Sequence, residues 1–231
     1  MSQKGIEDSV ASIFKLQLQS WCIRNNKDDL IFDMNGSDRA VNADTMFSVC
    51  DRFFLVEMKS KESNIKDEAV KPAVCLLCTG LKEFPSIRDW HRACHYIMWG
   101  TPNKLKSEVK TFYTIYEDSV CRPDILTDCK AVTKPTQREI LLGSDLPGTA
   151  AVGNAGLEGR KFFTYLAWLL GNRSGPTTPF TPTENIPIAL VGTSANRQVF
   201  GKMFNNYEEI RIWGEPSILN KLKKKHPPTR P

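Results

Sequence analysis

The chain has 231 residues, of which 41% are hydrophobic and 25% are charged, a composition typical of a globular protein with a full hydrophobic core. Its apolar stretches are too short to cross a bilayer, and the first residues lack the layout of a secretory signal, so we expect a cytoplasmic protein with no membrane partner. The net charge of +5 permits a polyanionic partner, and the seven unevenly spaced cysteines predict reduced thiols rather than disulfides.

In chain order, the pattern of apolar residues first predicts a helix followed by a three-stranded meander. Residues 6–22 carry apolar side chains at helical spacing. The run DLIFDM reads as a strand, and Asn35-Gly36 behind it is a strong hairpin signal. Two further apolar runs, ADTMFSV and RFFLVEMK, follow so closely on each other that only a tight hairpin can join them.

The next segment is predicted to alternate between helices and a strand. Apolar spacing predicts a helix over residues 65–81, with Ser63 or Asn64 as its N-cap, and a second helix over residues 87–98. The alternating run VKTFYTIYED favours a strand.

The C-terminal half gives weaker signals. Loops are expected over residues 119–155, and the glycine-rich GTAAVGNAGLEGRK is interpreted as a flexible loop. A buried helix is predicted over 157–170, strands at IPIALVGT and YEEIRIWG, and a basic tail over 217–231. We expect one α/β domain over 1–231, in which this half elaborates a core at about 5–118.

The hairpin of the meander carries charged residues where a buried strand would not be expected to have them. Glu57 and Lys59 are two positions apart, so their side chains share one face of the strand. A two-residue turn at Cys50-Asp51 or Asp51-Arg52 would bring Asp44 across from Glu57 or Lys59. One interpretation is an ordinary ion pair at a solvated strand end, worth about 0.2–1 kcal/mol.

The other interpretation is a metal site. Two neighbouring carboxylates repel each other, and a divalent cation relieves that repulsion. Hard oxygen ligands suit Mg²⁺. An adjacent lysine could then orient a water molecule or stabilise the charge that develops on a phosphoryl group during phosphodiester hydrolysis.

These residues also carry a resemblance. Asp44, twelve intervening residues and then Glu57-Met58-Lys59 resembles the active-site motif of the PD-(D/E)XK nuclease superfamily, although Ala43 stands in place of the motif's proline. The order of predicted elements over residues 5–118 is similar to the core of that superfamily. The resemblance implies a restriction-endonuclease-like fold, with a central mixed sheet and an N-terminal meander flanked by helices.

The resemblance further implies a role for each matching residue. Asp44, Glu57 and Lys59 would be catalytic, and Mg²⁺ or Mn²⁺ would be held by Asp44, Glu57, the main-chain carbonyl of Met58 and Glu7 on the first helix. The implied activity is hydrolysis of phosphodiester bonds, in DNA rather than RNA, in phage defence, restriction or DNA processing. A homodimer or a partner protein is left open.

A second pattern competes for a metal. Cys75 and Cys78, followed after twelve residues by His91 and His95, match a zinc-finger spacing. The cysteines fall inside a helical pattern, however, so buried apolar packing is the favoured interpretation, and a structural Zn²⁺ site formed by a helix pair is the alternative.

Two basic clusters are candidates for nucleic-acid contact. Arg160 and Lys161 begin the helix predicted at 157–170, and Lys223 and Lys224 belong to the basic tail. The alternative to a nuclease is a non-catalytic nucleic-acid-binding or scaffold protein on a nuclease-like fold, stabilised by zinc in one version of that hypothesis.

Overall fold

The computed structural model describes residues 3–33, 45–103, 108–132, 137–173, 188–193 and 199–213. Several predictions fall outside the described residues: the turn at Asn35-Gly36, the position of Asp44, and the basic tail with Lys223 and Lys224. Within the described ranges, every helix is too short or too polar to span a membrane.

The N-terminal part follows the predicted order. Helix α1 (Gln3–Arg24) is followed by strands β1 (Asp29–Asp33), β2 (Thr45–Val49) and β3 (Arg52–Lys59). Both neighbouring strand pairs are antiparallel. Val49 pairs with Arg52, which leaves Cys50-Asp51 as the two-residue turn, and Cys50 adopts the left-handed conformation with a φ of 60°. The predicted tight hairpin is confirmed.

The connection after β3 departs from the predicted single helix over 65–81. A 3₁₀ helix (Glu62–Val70) is followed by α2 (Pro72–Glu83), and the predicted side-chain N-cap is wrong because Lys61 precedes the 3₁₀ helix without a capping bond. A residue before proline is disfavoured in the helical region. Lys71 is accordingly extended, with φ −85° and ψ 112°, and it separates the two helices.

The helix predicted over 87–98 is also shorter than expected. Helix α3 (Pro85–Cys94) ends where strand β4 (His95–Asn103) begins. The residues HYIMWG are rich in aromatic and branched side chains, which pack well on a pleated sheet. Strand β4 pairs in parallel with β3, from Leu55 with His95 to Lys59 with Trp99.

The remaining elements are strands that complete the same sheet and helices that connect them. They are β5 (Glu108–Ile115), α4 (Tyr116–Val120), β6 (Leu141–Leu142), α5 (Leu146–Ala151), β7 (Leu157–Glu158), α6 (Gly159–Arg173), β8 (Ile188–Thr193), β9 (Val199–Phe204) and α7 (Tyr207–Trp213). The strand order is β6-β5-β4-β3-β2-β1-β8-β9, and β7 pairs with β3 off this path. The fold is therefore α/β, with a mixed central sheet flanked by helices.

Two predictions for the C-terminal half are wrong. The run YEEIRIWG is helix α7 rather than a strand, because the side chain of Asn206 accepts a hydrogen bond from the amide of Glu209 and so caps the helix. The glycine-rich segment is not one flexible loop, since it contains α5 and β7. At Gly156, which has a φ of 74°, a Cβ would approach Arg52 Cβ to 3.0 Å.

Helices cover both faces of the sheet. On one face, the ring centres of Phe14 of α1 and Phe47 of β2 are 5.0 Å apart. Phe47 is paired with Phe54 of β3 in the sheet register. On the other face, the ring centres of Phe162 of α6 and Phe53 of β3 are 5.5 Å apart. Because side chains alternate along a strand, the odd-numbered residues of β3 point away from α1 and toward α6.

The expectation of reduced thiols is wrong for four of the seven cysteines. Cys75 is bonded to Cys129 and Cys78 to Cys121. The two α2 cysteines are three residues apart and so share one helical face, which both disulfides join to the segment at 121–132. These bonds hold one locally irregular segment, a role that neither the cysteine spacing nor the size of the whole core indicates.

Candidate functional site

The C-terminal end of β3 carries an acidic and a basic residue on the same face of the sheet. Glu57 and Lys59 both lie on the face opposite α1, and Lys59 Nζ is 2.7 Å from Glu57 Oε1. Both side chains are nearly inaccessible, at 3% exposure for Glu57 and 9% for Lys59. The two groups are brought together as the sequence predicted, but in a buried setting rather than at a solvated strand end.

Two further charged residues join this pair. Lys71 Nζ lies 2.6 Å from Glu57 Oε1 and 2.8 Å from Glu68 Oε1. Lys59 Nζ also lies 2.7 Å from Glu68 Oε1. Each ammonium group therefore bridges the same two carboxylate oxygens. We call these four residues the charge cluster.

The break between the 3₁₀ helix and α2 positions the two residues that sequence reasoning missed. Glu68 lies near the end of the 3₁₀ helix, and Lys71 lies in the extended link before Pro72. In a continuous helix, Lys71 would not have the extended backbone conformation that it adopts here. The signal available in the sequence was the Lys71-Pro72 dipeptide, since proline predicts an interruption at the preceding residue.

Tyr116 orients Glu68 from the far side. The Tyr116 hydroxyl donates a hydrogen bond to Glu68 Oε2 at 2.5 Å, which leaves Oε1 directed at the two ammonium groups. Tyr116 begins α4 and is fully buried, as is Glu68. The cluster is thus attached at one end to the 3₁₀ helix and at the other to the junction of β5 and α4.

Burial and charge pairing act in opposite directions on these groups. Burial raises the pKa of Glu68, but the ammonium groups of Lys71 and Lys59 outweigh burial and hold it below its usual value. Burial lowers the pKa values of Lys59 and Lys71, but the neighbouring carboxylates outweigh burial and raise both. All three groups are therefore charged at neutral pH.

Exposure within the cluster is uneven. The side chain of Lys71 is 31% exposed, whereas that of Glu68 is 0% exposed. Lys71 is therefore the ammonium group of the cluster that solvent reaches most easily. Lys59 is less exposed and lies beside both carboxylates.

The predicted metal ligands are only partly placed. Asp44 lies outside the described residues, and β2 begins one position later, where Thr45 pairs with Val56. Helix α1, which carries the half-buried Glu7, packs on the face of the sheet opposite Glu57. Across the described ranges, three or more His, Cys, Asp or Glu side chains do not come together in a metal-holding group. Met58 is buried in β3.

The zinc alternative is wrong. The sulfur atoms of Cys75 and Cys78 are bonded to other cysteines, so they cannot be thiolate ligands. Nδ1 of His91 and Nδ1 of His95 lie 2.8 and 2.7 Å from the Tyr165 hydroxyl. That hydroxyl can donate to one ring and accept from the other, and all three residues are fully buried.

Arg160 and Lys161 lie far from the charge cluster. They begin α6, directly after β7, which pairs with Arg52 and Phe53 at the start of β3. The end of β3 at Lys59 is about 23 Å further along the strand. Both side chains are exposed, and their contact with nucleic acid remains a prediction.

Comparison of the chain with protein-family models, curated proteins and solved structures gave no match. A function must therefore be inferred from the chemistry of the charge cluster and its surroundings.

Proposed function

We propose that the protein is a metal-dependent nuclease of the PD-(D/E)XK type on a restriction-endonuclease-like core, with DNA as its expected substrate. The observation that carries the proposal is the meeting of Glu57 and Lys59 at 2.7 Å at the end of a buried strand. The order of α1, the meander β1 to β3, the helical crossover and the parallel strand β4 supports it. A role in phage defence, restriction or DNA processing is part of the proposal by analogy alone.

The cation would be Mg²⁺ or Mn²⁺, held by Asp44, Glu57 and the Met58 carbonyl. When bound, it would polarise a phosphoryl oxygen and lower the pKa of a bound water. Glu57 would supply a carboxylate oxygen to the cation, and Lys71, whose side chain is 31% exposed, would give up its contact with that oxygen. Lys59 stays charged beside the reacting position, where it can orient water or stabilise developing negative charge.

The test is cleavage of nucleic acid by the purified protein. Linear duplex, circular duplex, single-stranded DNA and RNA are each incubated with Mg²⁺, with Mn²⁺ or with a chelator. We expect cleavage that requires the metal and that Lys59→Met reduces at least about a hundredfold, in line with the usual contribution of a positioned charge. Cleavage at an undiminished rate by Lys59→Met would exclude the proposed mechanism.

A matched control comes from a second group of two cations and two carboxylates, formed by Arg88, Arg92, Glu117 and Asp118. Arg92 forms a paired contact with Asp118, at 2.6 and 2.9 Å, and lies on α3 rather than on β3. Arg92→Met removes a cation from an ion pair without touching the proposed site. We expect it to leave the cleavage rate unchanged in folded protein.

The competing function is that of a non-catalytic nucleic-acid-binding or scaffold protein on the same fold. The burial of Glu57 between two ammonium groups favours it, because a closed and charge-balanced cluster also serves as a purely structural device. Binding of nucleic acid without metal-dependent cleavage of any of the four substrates would favour this function over a nuclease.

A further inference from the structure

A cleft opens directly beyond the end of β3. Its volume is about 530 Å³, within the range of about 300–1,000 Å³ that is usual for ligand sites. Its apolar lining includes Ile65 and Ile125, and its polar lining includes Lys61, Ser63, Lys66 and Thr101.

The cleft is positively charged. Lys61 and Lys66 are exposed, and in the described part of the chain neither ammonium group has a carboxylate partner. Glu62 is the acidic residue in the lining, and its charge is matched by an ion pair with Arg138. The guanidinium of Arg138 in turn lies 5.6 Å from the centre of the Trp99 ring, which keeps it beside the cleft. An anion entering the cleft therefore meets two lysines that have no carboxylate partner among the described residues.

The cleft adjoins the charge cluster through the backbone. Lys61 follows Lys59 by two residues, a separation of about 7 Å along an extended chain. Strand β4 also contributes to the lining, since Gly100 follows Trp99, the residue paired with Lys59. The 3₁₀ helix lies between the two sites and contributes Ile65 and Lys66 to the cleft and Glu68 to the cluster.

We propose that this cleft binds the backbone of a nucleic-acid strand next to the charge cluster, with Lys61 and Lys66 on successive phosphates and sugar or base surfaces against the apolar lining. The inference rests on the proposed function for its choice of polyanion. A phosphodiester backbone matches the cleft because it alternates anionic groups with less polar surface. An acidic peptide offers the charges without the flat apolar groups.

The test measures binding in the absence of cleavage. A fluorescein-labelled single-stranded oligonucleotide is titrated with the full chain in EDTA, and fluorescence anisotropy is followed across a series of NaCl concentrations. The variant Lys61→Gln/Lys66→Gln is compared with Lys82→Gln/Lys130→Gln, which removes two exposed lysines that do not line the cleft. The two variants have equal net charge, and circular dichroism checks that both are folded.

We expect the cleft variant to bind more weakly and to lower the slope of log K against log salt by about 1.4, or about 0.7 for each lost phosphate contact on a single strand. The control variant should keep the wild-type slope. Equal losses in both variants, an unchanged slope in the cleft variant, or equal competition by poly-glutamate would each overturn the proposal.

The two proposals fail in distinguishable ways. If Lys59-dependent cleavage is observed but the cleft variant binds like wild type, only the cleft assignment is wrong. If the cleft variant loses binding while no substrate is cleaved, the cleft assignment holds and the nuclease proposal is wrong.

Discussion

Replacing Asp29 with asparagine should stabilise the protein at neutral and alkaline pH and have little effect below about pH 4. Asp29 begins β1 and is only 1% exposed. Neither of its carboxylate oxygens has a hydrogen-bond partner in the described structure. Burial, and secondly the charge of Asp28, raise the pKa of Asp29 from 3.8 to about 7.

The size of the effect follows from proton linkage. Because the pKa is raised in the folded state, the contribution of Asp29 to stability is fully present below 3.8 and is lost as the pH rises through 7. Three pKa units at about 1.36 kcal/mol each amount to about 4 kcal/mol. Asparagine has a similar shape and does not ionise, so Asp29→Asn should gain up to this amount relative to wild type between pH 4 and pH 7, and no more above pH 7.

Urea unfolding at several pH values between 4.5 and 8.5, followed by tryptophan fluorescence, measures this difference. Asp51→Asn in the exposed turn is the control, and it should change the free energy of unfolding by less than about 0.5 kcal/mol at each pH. A constant difference between Asp29→Asn and wild type across the pH range would refute the reasoning.

Three further predictions concern the charge cluster and the disulfides. Glu68→Gln should lower the free energy of unfolding by about 3–5 kcal/mol in urea titrations, because it leaves buried ammonium groups with one carboxylate, and loss of less than about 1 kcal/mol would contradict that role. Lys71→Ala should strengthen Mn²⁺ binding at least about tenfold, as measured by calorimetry. The reason is repulsion between the Lys71 ammonium group and the cation, which costs about 4 kcal/mol at a separation of about 4 Å and an effective dielectric constant of about 20, before further screening. Weaker or unchanged Mn²⁺ binding would contradict the view that this ammonium competes with the metal for Glu57. Cys129→Ser should reduce stability by about 4 kcal/mol, since it opens a loop between cysteines 54 positions apart, and addition of dithiothreitol should destabilise wild type at least as much.

The hairpin could be predicted from the sequence because its local signals agree. The runs at 45–49 and 52–59 are rich in apolar, strand-favouring residues, and only two residues remain for the turn. Strict alternation then fixes Glu57 and Lys59 on one face, whatever packs on them. The acid and base of the candidate site follow from this local geometry.

The rest of the site depends on contacts between distant parts of the chain. Glu68 resembles an exposed helical residue in the sequence, and only the tertiary structure brings it to Lys59 and Tyr116. Strand β4 was predicted as helix because its first residues continue the helical spacing of α3, and parallel pairing with β3 decides the outcome. The disulfides were missed for the same reason, since the spacing of Cys75 and Cys78 does not identify Cys121 and Cys129 as their partners.

The position of β1 in the sheet has a consequence for biosynthesis. This strand emerges from the ribosome well before one of its two neighbours, β8, whose residues begin at Ile188. Until β8 has been translated, the nascent chain exposes the unpaired backbone edge of β1 together with apolar side chains. Both features promote aggregation. Production of the N-terminal half by itself should therefore give insoluble material, even though that half contains all four residues of the charge cluster.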